Sequence, residues 1–234
     1  MRRLAPNETF CFRCHPEVPC LNACCGDSNV PLTPYDVVRL RSRLGRGSDS
    51  FLERYAVIET SDELGVRMVH LAMEGQDHPL CPFATAQGCA VYQDRPSACR
   101  TFPLGRSLRA LPDGKSAAEE YVLLDPPFCR GFVAGSPEFT ATAYVEDQGL
   151  EIYHRFNNRY MGLLVQWQTR GLRAAAQTSD QIFTALYRVD AFAEVIEKQD
   201  LLTQSGAPAR LYDKILSDEP QRLWFAFKLL EQML

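Results

Sequence analysis

The stretch Cys11-Phe-Arg-Cys14-His-Pro-Glu-Val-Pro-Cys20-Leu-Asn-Ala-Cys24-Cys25-Gly26 places five cysteines within one short, Pro-punctuated segment. Four more follow at Cys81, Cys89, Cys99 and Cys129, and none lies beyond. Thiols this dense act as staples, either as disulfides or as metal ligands, and compartment separates the two. The leading MRRLAPNETF has two arginines but neither an apolar run nor a small-residue cleavage site, so it is not expected to be a signal peptide. No run approaches the length that crosses a bilayer. A cytoplasmic location with reduced thiols is therefore expected, and there clustered cysteines serve metals more often than disulfides.

Adjacent side chains diverge in most backbone conformations, so Cys24 and Cys25 are expected to ligate two nearby metals or two different iron atoms rather than one ion. Eight cysteines divide into two four-thiolate sites or one polynuclear site. Cys11 lies outside the tightest group and is the candidate for the surplus ninth, although Cys11-x-x-Cys14 has the spacing of a zinc knuckle. His15 and His78 lie near cysteines; packing or surface roles are favoured for them over ligation, and His70 and His154 have no evident partners in the sequence. A thiolate-only set selects zinc, iron–sulfur or copper(I) over hard cations. Cys81-Pro82 and the lack of regular paired knuckles tilt the reading to an iron–sulfur cluster, [4Fe–4S] in type, with zinc as the alternative. Arg13, Arg100 and Arg130 adjoin Cys14, Cys99 and Cys129, with Arg95 close by. They either offset the negative charge of a thiolate site or form an ordinary solvated surface.

The 234 residues are 46% hydrophobic and 23% charged, enough to bury a core in one large or two small domains. The net charge of −4 and the lack of a basic patch argue against a nucleic-acid partner. The chain divides by composition into a cysteine-cluster metal-binding domain, residues 1–135, and a helical region, residues 136–234, packed on it or on a partner. The expected fold is α+β, an irregular metal-stapled part followed by helices.

Thr33-Pro34 and Asp36 predict a helix that Gly45 ends, and Ser48 or Asp49 caps a second through Tyr55. Strands are predicted at 66–71 and 121–124, with a turn at Pro112-Asp113-Gly114. Ser136-Pro137-Glu138 predicts a helix start with Gly149 as its stop, and helices follow at about 150–170, 179–199, 209–217 and 219–233. The last has Leu223, Phe227, Leu230 and Leu234 on one face, widened by Trp224, Phe225 and Leu229. So broad an apolar arc belongs either in the core or at a homodimer or partner interface.

Three strings carry a family resemblance: Cys-x3-Cys-Cys at 20–25, Cys-Pro-Phe at 81–83, and Gly-Cys-x-Val-Tyr-x-Asp-Arg-Pro-x-x-Cys-Arg-x-Phe-Pro at 88–103. Over roughly residues 14–131 the chain resembles the YkgJ-type cysteine-cluster family, zinc- or iron-chelating or Fe–S-cluster-containing proteins. The resemblance implies a metal ligand set of Cys14, Cys20, Cys24, Cys25, Cys81, Cys89, Cys99 and Cys129. In many members the first cluster is tighter, Cys-x2-Cys-x2-Cys-Cys; here the gaps are five and three residues.

A radical-SAM motif begins at Cys20 and Cys24 but fails at Asp27. The clusters are similar to those of flagellin lysine N-methylases, which keeps a cluster-dependent enzyme of methyl or electron transfer as an alternative, without a glycine-rich cofactor loop to support it. No P-loop, Ser/His/Asp order or paired-carboxylate motif stands out, so no catalytic residue is assigned. The expected function is a metal-binding protein with a structural or redox role; chelation or metal trafficking is the further alternative.

Overall fold

A computed structural model describes residues 1–26, 28–110, 117–133 and 135–232. In chain order the elements are β1 (Arg2–Arg3), β2 (Thr9–Cys11), α1 (Pro34–Arg43), α2 (Ser48–Tyr55), β3 (Ala56–Thr60), β4 (Arg67–Leu71), β5 (Ala84–Thr85), β6 (Gly88–Cys89), α3 (Ser97–Thr101), β7 (Leu104–Ala110) and β8 (Ala117–Leu123). They continue with β9 (Glu138–Thr140), α4 (Ala141–Asp147), α5 (Glu151–Thr169), α6 (Ala176–Tyr187), α7 (Val189–Lys198), α8 (Leu201–Gln204), α9 (Tyr212–Ser217) and α10 (Glu219–Gln232). The fold is α+β, as the composition predicts. The strands make small antiparallel sheets ordered β1-β8-β7, β2-β9, β3-β4 and β5-β6.

The chain forms two compact units. The first comprises Met1–Ser28, Met73–Tyr92 and Ser97–Ile152; the second comprises Asn29–Ala72, Gln93–Pro96 and Tyr153–Leu234. All nine cysteines belong to the first.

The first unit has few regular elements and is held by an aromatic cluster. Leu4, Phe10, Phe12, Leu104, Leu123 and Tyr144 are buried together, and Phe102, Phe132 and the Cys129 side chain pack against them. Phe12 meets Phe102 edge-on at 5.8 Å and Phe132 at 5.1 Å between ring centroids. Such pairs contribute about 0.5–1.5 kcal/mol each beyond area burial. Tyr144 adds a hydrogen bond from its hydroxyl to the Phe102 carbonyl at 2.7 Å. The cluster therefore seats Cys129 directly against the apolar core.

In the second unit α1 starts with the expected capping box. The Thr33 hydroxyl accepts from the Asp36 N–H, and the Asp36 carboxylate accepts from the Thr33 N–H at 2.9 Å. The β3–β4 hairpin is joined by the segment at Val30 and Leu32, which bonds β4 on its other side. Leu223, Ala226 and Phe227 of α10 are fully buried, so the broad apolar arc of this helix belongs to the core of its unit. Phe156 of α5 stacks on Tyr35 of α1 with centroids 4.2 Å apart. Leu234 and the Pro112-Asp113-Gly114 turn lie outside the described residues.

Several boundaries differ from expectation for local reasons. Ser136-Pro137-Glu138 leads into β9, because this segment pairs with β2; the helix starts at Ala141, capped by the Thr140 hydroxyl. The helix expected over 179–199 breaks at Arg188, whose backbone leaves the helical region. The cap of α2 is Gly47 rather than Ser48 or Asp49, since the Ser48 N–H is taken by the Asp190 carboxylate at 2.8 Å. Strands β3 and β7 carry charged and small residues that mask their alternation.

Candidate metal centre

The site is assembled from three separate pieces of chain. In the first piece, Asn22 adopts a left-handed conformation (φ 65°), and its side-chain N–H donates to the Thr85 carbonyl at 2.6 Å. Asn tolerates this conformation because its short polar side chain can bond locally. The chain then enters a 3-10 turn at Ala23–Cys25. At three residues per turn, successive side chains point about 120° apart, yet the Cys24 and Cys25 thiols stay within hydrogen-bond reach of each other.

The second piece is tied to the first by backbone. The Cys81 N–H donates to the Cys25 carbonyl at 2.8 Å, and Gly26 bridges Leu80. The Cys81 sulfur accepts the Phe83 N–H at 3.4 Å. The β5–β6 hairpin sets Cys89 opposite Ala84, whose own N–H bonds the Cys81 carbonyl. That hairpin needs Gly88 at φ 111°, a conformation open to glycine and strained for other residues.

The third piece carries Cys99 on α3 and Cys129 in the loop before β9. The Arg130 N–H donates to the Cys20 sulfur at 3.1 Å, and the Gly131 N–H to the Cys129 sulfur at 3.5 Å. The Arg13 N–H reaches the Gly131 carbonyl at 2.9 Å, pinning the first thiol loop beside the last.

A cavity of about 40 Å³ opens between the first and third of these pieces. It is lined by the thiols of Cys14, Cys20, Cys24 and Cys129, with Phe12 and Phe102 among its apolar walls. It has room for a small ion or one or two waters. No disulfide joins any of the nine cysteines.

The thiols feel one another's charge. Cys24 is pushed down to about 6 by a hydrogen bond from its neighbour Cys25, which is pushed up in turn by that same pairing, by burial and by the charges of Cys24, Cys81 and Cys99. Burial raises Cys81, with Cys89 and Cys24 adding to the rise. Burial also raises Cys129, with further contributions from Cys20 and Cys24.

Among the described residues no three His, Cys, Asp or Glu side chains converge into a closed metal shell. Four sulfurs on a tetrahedral zinc stand about 3.8 Å apart, given a Zn–S bond of about 2.3 Å. Like-charged thiolates approach that closely only when a cation offsets their repulsion. The donor chemistry nevertheless fits a soft metal: the thiols are gathered in one unit, three sulfurs accept backbone N–H bonds, and apolar side chains wall the cavity. Hydrogen bonds to ligating sulfur are a recurrent means of stabilising metal–thiolate bonds.

Other residues singled out in the sequence lie apart from this arrangement or serve a different end. Cys11 sits on β2, paired with Glu138, and does not line the cavity. His70 bonds Asn29 at 2.6 Å in the second unit, and His154 is buried on α5. His15 lies 3.9 Å from Glu17. The Arg130 guanidinium bonds the Pro127 carbonyl at 2.8 Å, and Arg100 bonds the Gln148 carbonyl at 2.7 Å. These two arginines brace the loop that presents Cys129 and the helix α3 that carries Cys99. Asn22 and Gly131, which hold the thiol loops in register, were not singled out; the positive φ at Asn22 and the close approach at Gly131 depend on long-range packing.

No helix among the described residues is long and apolar enough to cross a membrane. Comparison with curated proteins and with solved structures returns no match. The cysteine pattern over residues 13–130, just over half of the chain, matches the family CxxCxxCC, "Putative zinc- or iron-chelating domain", and the chain belongs to that family.

Proposed function

We propose that this is a cytosolic metal–thiolate protein in which Cys14, Cys20, Cys24, Cys25, Cys81, Cys89, Cys99 and Cys129 hold zinc or iron, and the metal keeps the loop-rich first unit folded. The observation that carries this reading is the gathering of eight thiols from distant chain segments into one compact unit, four of them lining one cavity. A unit with such short strands and helices recovers little ordering entropy from regular structure, and metal–thiolate bonds supply what its aromatic cluster does not.

A redox role with an iron–sulfur cluster is the second reading. It draws on the N–H bonds to the sulfurs of Cys20, Cys81 and Cys129, the kind of contact that tunes cluster potentials. Anaerobic purification followed by metal analysis and a visible spectrum on one sample separates the two. Colourless protein with stoichiometric zinc supports the structural reading. Brown protein with iron, sulfide and broad absorption near about 400 nm supports the redox reading. Protein that is folded and holds neither metal refutes both.

A further inference from the structure

We propose that the outer edge of β3 is a docking site for an extended peptide of alternating apolar and basic residues, which adds to the sheet as an antiparallel strand. The hydrogen bonds of the β3–β4 hairpin fix which backbone groups are on offer. The Ser61 N–H bonds the Val66 carbonyl, and the Ala72 N–H bonds the Tyr55 carbonyl. Between these two bonds the register pairs Val57 with His70 and Glu59 with Met68, so Val57 and Glu59 turn their backbone groups toward β4. Those of Ile58 and Thr60 point outward, and no segment among the described residues pairs with them. The far side of β4 is already taken by Val30 and Leu32.

A groove of about 450 Å³ lies beside this edge. Its apolar walls are Leu52, Ala56, Ile58 and Phe183, which puts it on the face that Ala56 and Ile58 share. A strand laid against Ile58 sends every second side chain into it. Val57 and Ile58 are 47% and 41% exposed, and β3 has no proline, lysine or bulge of the kind that blunts an edge. Charge selects the occupant. Both groove arginines are already paired, Arg67 with Asp180 and Arg188 with Asp49. The exposed carboxylates of Glu53, in the groove, and Glu59, on the other face of β3, have no ion pair among the described residues. Basic side chains on an added strand meet both, whereas a second copy of the chain would bring two acidic edges together.

The test titrates the fluorescent peptide Lys-Lys-Val-Lys-Ile-Lys-Lys into the full chain and reads anisotropy. In the proposed register the Val and Ile side chains enter the groove while their N–H groups face β3. N-methylation of these two residues should weaken binding about tenfold or more. N-methylation of the two lysines that follow them, whose N–H groups point away, should leave it unchanged. The variant Glu53→Lys/Glu59→Lys should lose the peptide. Amide exchange at Ile58 and Thr60 should slow when the peptide is added, and exchange at Val57 and Glu59 should not. Absence of binding overturns the proposal, and equal binding of the two methylated forms overturns strand addition in favour of attraction by charge alone. A chain that dimerises with rising concentration, and is monomeric as Ile58→Lys, overturns it in favour of a second copy on this edge.

Discussion

A methyl group added at Gly131 would lie 2.6 Å from the Phe12 ring and 3.1 Å from the Arg13 carbonyl oxygen. Phe12 cannot yield easily, since it is buried between Phe102, Phe132 and Tyr144. The substitution Gly131→Ala should therefore push the Arg13 and Gly131 backbones apart, and with them Cys14 and Cys129. We expect a loss of about 1–3 kcal/mol, typical of overpacking, together with reduced metal content. Thermal unfolding and metal analysis on one preparation check it; wild-type values for both would sink the idea. At this scale the cysteines were legible because spacing and residue type announce soft-metal chemistry. Asn22 and Gly131 were not, since their reasons lie in Thr85 and Phe12, far away in the chain. The arginines beside the cysteines suggested either charge compensation or a solvated surface; Arg100 and Arg130 each donate a guanidinium bond to a carbonyl.

At the level of elements, α1 was legible down to its cap because every signal for it is local. Thr33→Ala removes the hydroxyl that accepts the Asp36 N–H, and should cost about 1 kcal/mol. Metal content should be unchanged, since this helix lies in the unit without cysteines; a fall in metal content would contradict that expectation.

The start of α2 depends instead on α7. Burial by itself raises Asp190, but hydrogen bonds from Ser48 and the nearby Arg41 outweigh it and hold its carboxyl below the usual range. A lowered carboxyl stabilises the fold above its unfolded value of about 3.9, and loses that contribution as pH falls through the lower folded value. Asp190→Asn should thus be less stable than wild type at pH 7, with the gap closing at acid pH. Denaturant midpoints of both proteins from pH 7 down to pH 3 measure the gap, and one that stays constant would falsify the assignment. The hidden strands show the limit of local reading: β3 and β9 exist because β4 and β2 pair with them.

For the whole molecule, the proposed function has metal and regular structure divide the labour between two units. The second unit buries α10, Tyr187 and Phe156 without any cysteine. Chelation under reducing conditions should therefore unfold the first unit while the helices of the second persist. Structural zinc contributes about 10–16 kcal/mol to small domains, so the effect on the first unit should be large. Far-ultraviolet dichroism should keep most of its helical signal as the aromatic signal from the cluster around Phe12 and Tyr144 is lost. Unchanged signals in both regions after complete metal removal would show that the thiol unit stands without metal. Fold class was legible at this scale from composition. The passage of Asn29–Ala72 into the helical unit was not, because it depends on pairing β3–β4 and α1 with helices more than a hundred residues away.

That threading of three segments into one unit has a consequence for biosynthesis. Cys129 follows Cys25 by 104 residues. At a translation rate of about 5–20 residues per second, the early thiols leave the ribosome roughly 5–20 s before their last companion is made. For that interval Cys14, Cys20 and Cys24 are open to oxidants and competing ions as a nascent segment. If these thiols hold a metal as proposed, faithful loading depends on ions being delivered late, once the distal loop has arrived.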